Sequence, residues 1–384
     1  MTLGSPEQVR KAAEALTDIA SGARVWVSMP VVDEITPSLL MDDQYSETLS
    51  TDEPLPRRAG IFPLKDAPLS VLDHLSLYGD GCFEGILIKH GQIFMWREHL
   101  DRLDRSARLL GIDQPFSHRQ LTDIILRACQ ESTLSDTGYI RLVLSRGIGD
   151  LGINPAKCVA PTAFAIVSRI AVYPSETYAT GIPIGLAKHV RRPGKNVLDP
   201  TIKTTNYINN VLALQEGTTG GELEALMLND RGFIAEASVD NIFIVDKEEG
   251  WEDDPSKVLV RSPKAEYCLN GITRATLIEL LRERGYQVES ECDLVPIECV
   301  GPGRECFMTG TGAGVMPIIS VAGVQVGDGK PGPVTTQMVS DMAEVLAAPE
   351  DGLAIDASDS VIDDYLSRTS RLPEYQTDRV GATV

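Results

Sequence analysis

The sequence predicts an α+β protein built from two α/β domains. Its 384 residues exceed the usual size of one domain, so two domains are expected. Hydrophobic residues make up 43% of the chain, which supplies enough apolar surface for two cores. Strand-like and helix-like periodicities are mixed between residues 60 and 169, and this mixture is typical of the α+β class.

The first 59 residues are predicted to form an N-terminal extension, a helix followed by an irregular segment. Its apolar side chains recur at the spacing of one helical face: Val9, Ala12, Leu16 and Ile19. The stretch from Asp33 to Arg58 is acidic and contains prolines. We expect the extension to serve packing or dimer formation rather than chemistry.

A small α+β domain is predicted over residues 60–187. Residues 100–110 carry apolar side chains at helical spacing, and Gly111 ends this helix because glycine readily adopts the left-handed conformation. Residues 139–146 alternate with the period of a strand. The apolar side chains of this strand should be buried, so Tyr139 and Arg141 on its other face can line a cleft.

Residues 188–200 are predicted to connect the two domains. The segment is basic, contains glycine and prolines, and interrupts the periodicity. Two interpretations are open, a mobile lid over an active site or a plain solvated linker. A large domain is predicted over residues 201–348, and residues 349–384 form an acidic tail that wraps the surface or is disordered.

The composition excludes several classes of function. A formal net charge of −20 opposes binding to nucleic acids and to anionic membranes. The seven cysteines are scattered and the five histidines lack metal-ligand spacing, so neither a disulfide framework nor a metal site is expected. No signal peptide or membrane-spanning run is visible. We therefore expect a cytoplasmic protein with small-molecule partners.

Two short segments carry the strongest chemical signal. One contains Lys203 beside threonines, and the other contains Glu236 ahead of a strand. A lysine amine can hold an aldehyde cofactor covalently, and a carboxylate facing a pyridine nitrogen keeps that ring able to accept electrons. The pair therefore indicates pyridoxal 5'-phosphate as cofactor.

The sequence segments around these two residues resemble those of the class IV, or fold type IV, aminotransferases, and among them the branched-chain amino acid aminotransferases. Seven segments carry the resemblance in the family's order: LSLYGDGCFEGI (75–86), WREHLDRL (96–103), YIRLVLSRGIGDLG (139–152), IKTTNYINNVLALQ (202–215), FIAEASVDNIFIV (233–245), LNGITR (269–274) and CFMTGTGAGVMP (306–317). The resemblance implies an active site between two domains, with residues 201–348 binding the cofactor, and a homodimer.

The resemblance assigns three residues to the reacting end of the cofactor. Lys203 is expected to hold it covalently and then to move a proton between the substrate α-carbon and the cofactor. Glu236 is expected to face the pyridine nitrogen, and Tyr207 to hydrogen-bond the phenolic oxygen of the ring. The alternatives are a surface lysine, a strand-edge glutamate and a core tyrosine.

A phosphate site is predicted where a helix begins at Gly271, Ile272 and Thr273. Free backbone amides at a helix N-terminus attract anions, and the helix dipole adds about 0.3–1 kcal/mol. The alternative is that Thr273 only caps its own helix. The resemblance adds Arg97 and Thr311 to this site, and the alternative for Arg97 is a helix cap or an ion pair with Asp101.

The implied reaction is transamination of the branched-chain L-amino acids Leu, Ile and Val with 2-oxoglutarate, giving branched-chain 2-oxo acids and L-glutamate. Four residues match the substrate pocket of the family: Tyr78, Phe83, Tyr139 and Arg141. The amides of Thr311 and Gly312 are expected to hold the α-carboxylate. Arg141 suits the second carboxylate of glutamate, although Tyr139 and Arg141 could instead form a polar network between strands.

Three departures from the family pattern leave the substrate open. Leu87 stands where an arginine is expected, Asn270 replaces a proline, and Gly314 replaces a larger residue. Alternatives on the same fold are a D-amino acid or (R)-amine aminotransferase and a lyase of the aminodeoxychorismate type. A catalytically silent cofactor-binding or scaffolding protein is the alternative from another class.

Overall fold

The computed structural model describes residues 6–32, 34–51, 55–170, 172–370 and 372. These residues form two compact units. Unit 1 contains the described residues up to 170 together with 204–206 and 349–369, and unit 2 contains residues 172–203, 207–348, 370 and 372.

The described residues contain both helices and strands. The strands are β1 (Arg24–Pro30), β2 (Glu47–Leu49), β3 (Arg57–Pro63), β4 (Gly81–Lys89), β5 (Gln92–Phe94), β6 (Gly138–Ser145), β7 (Thr162–Ser168), β8 (Ile182–Arg191), β9 (Glu224–Leu228), β10 (Ile234–Ala237), β11 (Asn241–Lys247), β12 (Val258–Pro263), β13 (Gln287–Cys292), β14 (Glu305–Gly310), β15 (Gly314–Val321), β16 (Val324–Gln325) and β17 (Gly352–Ala354). The helices are α1 (Pro6–Ala20), α2 (Ser38–Met41), α3 (His74–Tyr78), α4 (Trp96–Leu110), α5 (His118–Glu131), α6 (Thr177–Thr180), α7 (Ile208–Gly217), α8 (Ile272–Glu283), α9 (Pro333–Ala347) and α10 (Asp359–Ser367).

Unit 1 is built on an antiparallel sheet with the strand order β17-β5-β4-β6-β7-β1-β3-β2. Helices α4 and α5 contribute buried apolar side chains to the same core as β4 and β6. The stripe on α4 that contains Leu100, Leu103 and Ala107 is buried, as predicted. Helix α4 ends at Gly111, whose φ of 64° is the left-handed conformation that glycine adopts without a Cβ clash.

The pairing of β4 with β6 separates two sets of side chains. Phe83 lies opposite Val143, and Gly85 lies opposite Arg141, so these residues share one face of the sheet with Tyr139. Glu84 points to the other face, where it contacts α4 through Arg102. The period-two pattern predicted for residues 139–146 is therefore realised in β6.

Unit 2 is built on a mixed sheet with the strand order β10-β9-β8-β15-β14-β11-β12-β13 and with β16 paired to β15. Strand β8 runs parallel to both β9 and β15, and β12 runs parallel to β13. The core contains the apolar side chains of the central strands, among them Ile184, Leu226, Ile244 and Met308. The mixture of helices and sheets confirms the predicted α+β class.

The unit boundaries differ from the predicted ones. The predicted interdomain connection, at residues 188–200, lies inside unit 2, because β8 continues to residue 191 and the division between the units falls near residue 171. Residues 24–49 are not a separate extension, since β1 and β2 belong to the unit 1 sheet. The tail from residue 349 supplies β17 and α10 to unit 1, while residues 373–384 lie outside the described residues.

Two other features of the described residues concern function. None of their helices has the length and apolar character that crossing a bilayer requires. Groups of three or more His, Cys, Asp and Glu side chains arranged to hold a metal ion do not occur among them.

Candidate functional site

Three of the predicted substrate residues come together on one face of the unit 1 sheet. The guanidinium of Arg141 lies 4.5 Å from the centre of the Phe83 ring and 5.7 Å from that of Tyr139. Arg141 Nη2 also lies 3.5 Å from Tyr139 Oη, at the long limit of a hydrogen bond. Burial raises the pKa of the Tyr139 phenol although Arg141 opposes this shift, so the hydroxyl stays protonated at neutral pH and can donate.

Gly85 has no side chain, and the phenol of Tyr139 occupies the space beside its Cα. A Cβ at this position would lie 1.9 Å from Tyr139 Oη. Such an approach is far shorter than a van der Waals contact, so any larger residue would displace the phenol. Packing against Tyr139 therefore explains the glycine at position 85, and the sequence alone did not reveal this contact.

Tyr78, the fourth predicted substrate residue, lies at the end of α3. Its hydroxyl donates a hydrogen bond to the carbonyl of Leu151, and the side chain is 37% exposed. His74 on the same helix contacts the same loop, with Nε2 3.1 Å from the Asp150 carbonyl. Tyr78 is thus bound to the loop that follows β6.

Arg97 is buried and bound by the C-terminal segment of unit 1. Its Nη1 donates to the carbonyls of Leu366 and Arg368, and its Nε lies 3.5 Å from Asp101 Oδ2. The ion pair with Asp101 was the alternative role for this residue. The phosphate contact expected for Arg97 stays a prediction.

A buried charged cluster lies on the other face of β4, and the sequence interpretation did not identify it. Arg102 donates twice to Glu84, at 2.8 and 2.7 Å, and His99 Nδ1 lies 2.7 Å from Glu84 Oε2. Burial alone would raise the pKa of Glu84, but the charge and hydrogen bonds of Arg102 outweigh it and lower the pKa to about 2. Burial lowers the pKa of His99, so at neutral pH a neutral imidazole donates to an ionised carboxylate.

The predicted cofactor residues Lys203 and Tyr207 lie in unit 2 and are half-buried. Tyr207 is the N-cap residue of α7. Between them, residues 204–206 belong to unit 1, where Thr205 donates from its amide to Gly81 O at 2.8 Å and from its hydroxyl to Gly79 O at 2.6 Å. The backbone immediately after Lys203 is therefore fixed by hydrogen bonds.

Glu236 is buried in unit 2 with both carboxylate oxygens engaged. The register of β10 shifts between Ile234 and Glu236, and such a bulge re-aims the side chain. Glu236 Oε1 lies 2.6 Å from Arg192 Nε, and Oε2 accepts a hydrogen bond of 3.1 Å from the amide of Leu269. Arg192 was missed as a site residue because it lies in the segment predicted to be a lid or a solvated linker.

The predicted phosphate turn is held directly beside Glu236. Asn241 Nδ2 donates to the Leu269 carbonyl at 2.9 Å, and a Cβ at Gly271 would lie 2.2 Å from Asn241 Oδ1. Gly271 is the N-cap residue of α8, and no side chain among the described residues caps this helix. The alternative that Thr273 caps its own helix is therefore wrong, and none of these side chains satisfies the amides at the start of α8.

Thr311 and Gly312 form the turn between β14 and β15 and are half-buried. Thr309 Oγ1 donates to the Gly314 carbonyl at 2.8 Å and so closes the turn. Gly314 has a φ of 64°, which a larger residue would adopt only under strain. The presence of glycine at position 314, where the family pattern has a larger residue, therefore fits the local backbone.

These unit 2 residues fit a phosphorylated pyridine aldehyde. Lys203 offers an amine, Glu236 a fixed carboxylate, and α8 a helix start whose amides attract anions. Glycine is required at position 271 because the side chain of Asn241 occupies the space of a Cβ there. The donor set is therefore of the kind that the predicted cofactor requires.

Comparisons with known proteins identify the family of the chain. Residues 81–321 match the family described as amino-transferase class IV. The chain is 37% identical over 281 residues to the "putative branched-chain-amino-acid aminotransferase" of Methanocaldococcus jannaschii, covering 73% of this chain and 92% of that protein. It is 32% identical over 278 residues to the branched-chain-amino-acid aminotransferase of Pseudomonas aeruginosa, covering 71% and 86% of the two chains.

A solved structure shows the same fold. The T.th. branched-chain amino acid aminotransferase complexed with N-(5'-phosphopyridoxyl)-L-glutamate is 28% identical and has a TM-score of 0.67. The match covers 77% of this chain and 96% of the other. The family and fold predicted from the seven segments are confirmed, and the chain belongs to the class IV aminotransferases.

Proposed function

We propose that this protein is a pyridoxal 5'-phosphate-dependent branched-chain aminotransferase that transfers the amino group of L-leucine, L-isoleucine or L-valine to 2-oxoglutarate. The observation that carries the proposal is the fixed carboxylate of Glu236. Arg192 and the Leu269 amide hold it, and Leu269 lies two residues before Gly271, the N-cap residue of α8. The names of the aligned relatives from two organisms support the substrate class.

The cofactor, when bound, supplies an electron-accepting ring that stabilises negative charge on the substrate α-carbon. Lys203 would hold the cofactor covalently and would move the proton at that carbon. Glu236, whose orientation Arg192 fixes, would face the ring nitrogen and hold a proton there. The amides of Ile272 and Thr273, with Thr311, would hold the phosphate.

Unit 1 supplies the side-chain selectivity. The Phe83 ring and the aromatic face of Tyr139 offer an apolar surface to an aliphatic side chain. Arg141 offers a cation to the second carboxylate of glutamate, which an apolar pocket would otherwise reject. Leu87 stands where the family pattern predicts an arginine. It lies opposite Tyr139 in the sheet and therefore adds apolar surface to the same face. We further propose a homodimer in the cytoplasm, and sedimentation of the purified protein tests the dimer.

A trapping experiment followed by a half-reaction tests the function. Borohydride treatment of the yellow holoenzyme should attach the cofactor irreversibly to the peptide that contains Lys203, as read by mass spectrometry. Single additions of L-leucine should then bleach the absorbance of untreated holoenzyme, and D-leucine should not. Bleaching by the D-enantiomer would favour the D-amino acid alternative. Pyruvate release from aminodeoxychorismate without an amino acceptor would favour the lyase.

Replacing Arg141 should separate the two substrates. Arg141→Leu removes the cation but keeps an apolar side chain, so we expect kcat/KM for glutamate to fall about 10- to 100-fold, as for one charged hydrogen bond. The value for leucine should change less than threefold. Steady-state kinetics with both amino acids measures the ratio. Equal losses for the two substrates would contradict a role in carboxylate recognition.

Gly85→Ala tests the position of the Tyr139 phenol. The new methyl group would occupy the space of Tyr139 Oη, so the phenol must rotate away and KM for leucine should rise by roughly tenfold. Gly194→Ala is a control for the added methyl group, because no atom lies within 4 Å of the Cβ at that position and its backbone is not left-handed. If KM in Gly85→Ala equals that of the parent, Tyr139 does not contact the substrate.

A further inference from the structure

Two buried carboxyl groups meet a half-buried phenol in unit 2, and the resemblance assigns no role to any of the three residues. Tyr173 Oη lies 3.1 Å from Glu224 Oε2 and 3.3 Å from Asp240 Oδ2. Glu224 is 2% exposed and Asp240 is 4% exposed. A phenol has one proton, so Tyr173 can donate to only one of the two carboxyl groups. The other must supply its own proton, or it would present an anion to the lone pairs of the phenol.

The hydrogen bonds of the two carboxyl groups show which one keeps a proton. Glu224 Oε1 accepts from the amide of Ala225 at 2.7 Å and from that of Ser238 at 3.0 Å, and such bonds stabilise an ionised carboxylate. The side chain of Asp240 accepts no backbone N–H bond in the described part of the chain. Burial raises the pKa of both groups, and that of Asp240 rises to about 7, with the charge of Glu224 as the second cause.

The charges around Asp240 come from several elements. Glu224 and Glu236 oppose its ionisation, Lys203 favours it, and hydrogen bonding from Tyr173 favours it as well. Burial raises the pKa of the Tyr178 phenol on α6, and the charge of Asp240 raises it further. Asp240 is therefore the member of the pair that gains or loses its proton near neutral pH.

Asp240 also contacts the turn that precedes Thr311. A Cβ on Gly310 would lie 2.0 Å from Asp240 Oδ1, so this carboxyl oxygen packs directly against the Gly310 backbone. A negative charge at this position would repel an anion held by the amides of the turn. A neutral acid would support the turn without that repulsion.

We propose that Asp240 is a neutral carboxylic acid that donates its proton to Tyr173 Oη, while Tyr173 donates to the ionised Glu224. Asp240 is thus a positioning residue, and its neutrality keeps the turn at residues 310–312 able to accept an anion. The part of this inference that concerns the cofactor phosphate rests on the proposed function. The protonation state itself does not.

Infrared spectroscopy of the full-length protein tests the protonation state. The spectrum should contain the carbonyl stretch of a protonated carboxylic acid below pH 7, and the band should fade as the pH rises through about 7. Asp240→Asn should remove the band. Asp341→Asn, which changes a buried carboxyl paired with Arg284 at 2.9 Å, should leave it. A band that survives in Asp240→Asn and disappears in Glu224→Gln, or no band in the parent, overturns the proposal.

Cofactor affinity tests the role of the neutral acid. The dissociation constant of pyridoxal 5'-phosphate from cofactor-free protein is measured against pH for the parent and for Asp240→Asn, whose amide is neutral at every pH. The two constants should agree within about threefold at pH 6, and the parent should bind roughly tenfold more weakly than the variant at pH 8.5. A ratio that is the same at both pH values overturns the positioning role. If neither protein binds the cofactor, the proposed function fails while the infrared result still stands.

Discussion

Lys203→Ala should reduce transamination by about 10⁴-fold or more while the protein stays folded. The substitution removes the amine that holds the cofactor and the group that moves the proton, and a positioned acid–base group alone contributes about 10²- to 10⁴-fold. The side chain is only half-buried, so its loss leaves no large cavity in a core. Turnover of L-leucine with 2-oxoglutarate measures the loss.

Two controls make this result specific. Lys188→Ala removes an exposed lysine of the same unit and should keep full activity. The circular dichroism spectrum and the urea midpoint of Lys203→Ala should match those of the parent. Cofactor absorbance should also become removable by gel filtration, since no covalent bond retains it. If Lys203→Ala keeps a tenth or more of the parental activity, another residue carries the chemistry.

Local sequence signals predicted the elements that carry the site. The alternation of residues 139–146 gave β6 and the shared face of Tyr139 and Arg141 because a strand places alternate side chains on one side. Glycine after an apolar stripe marked the end of α4 correctly. The start of α8 was placed within one residue, at Ile272. These features depend on neighbours in the chain, and the sequence contains them directly.

The partners of the site residues could not be predicted in the same way. Arg192 contacts Glu236 only because β8 and β10 belong to one sheet, and the sequence around Arg192 is typical of a loop. Arg97 is bound by a carbonyl 269 residues later in the chain. The predicted interdomain connection lies inside unit 2 for a related reason, since the end of β8 is basic and half exposed and therefore lacks a strand signal. These contacts depend on which distant segments of the chain pair in the fold, and the hydrophobic periodicity of the sequence does not contain that information.

The Glu84 cluster combines local and long-range signals. The spacing of His99 and Arg102 on α4 places both side chains on one helical face, as three-residue spacing predicts. Only the sheet places Glu84 of β4 against that face. A buried acid in an apolar strand needs such a partner, and the sequence therefore contained half of the evidence for this cluster.

Glu84→Gln should destabilise unit 1 by about 3–5 kcal/mol at neutral pH. The variant breaks the buried ion pair between Glu84 and the guanidinium of Arg102, and removing one partner of a buried pair costs about this much. Urea denaturation measures the free energy of unfolding. Glu131→Gln, an exposed substitution at the end of α5, should change it by less than about 0.5 kcal/mol.

The pH dependence of stability distinguishes a lost charge from a lost hydrogen bond. The pKa of Glu84 is about 2 in the folded protein against an ordinary value of 4.5, so the folded state favours the ionised form. This contribution is complete above about pH 4.5 and is lost as the pH falls toward 2, by roughly 3 kcal/mol at 1.36 kcal/mol per unit. Glu84→Gln has no such titration, so its stability should decline less steeply between pH 5 and 3 than that of the parent. Parallel curves for the two proteins would mean that Glu84 is not the ionised partner of Arg102.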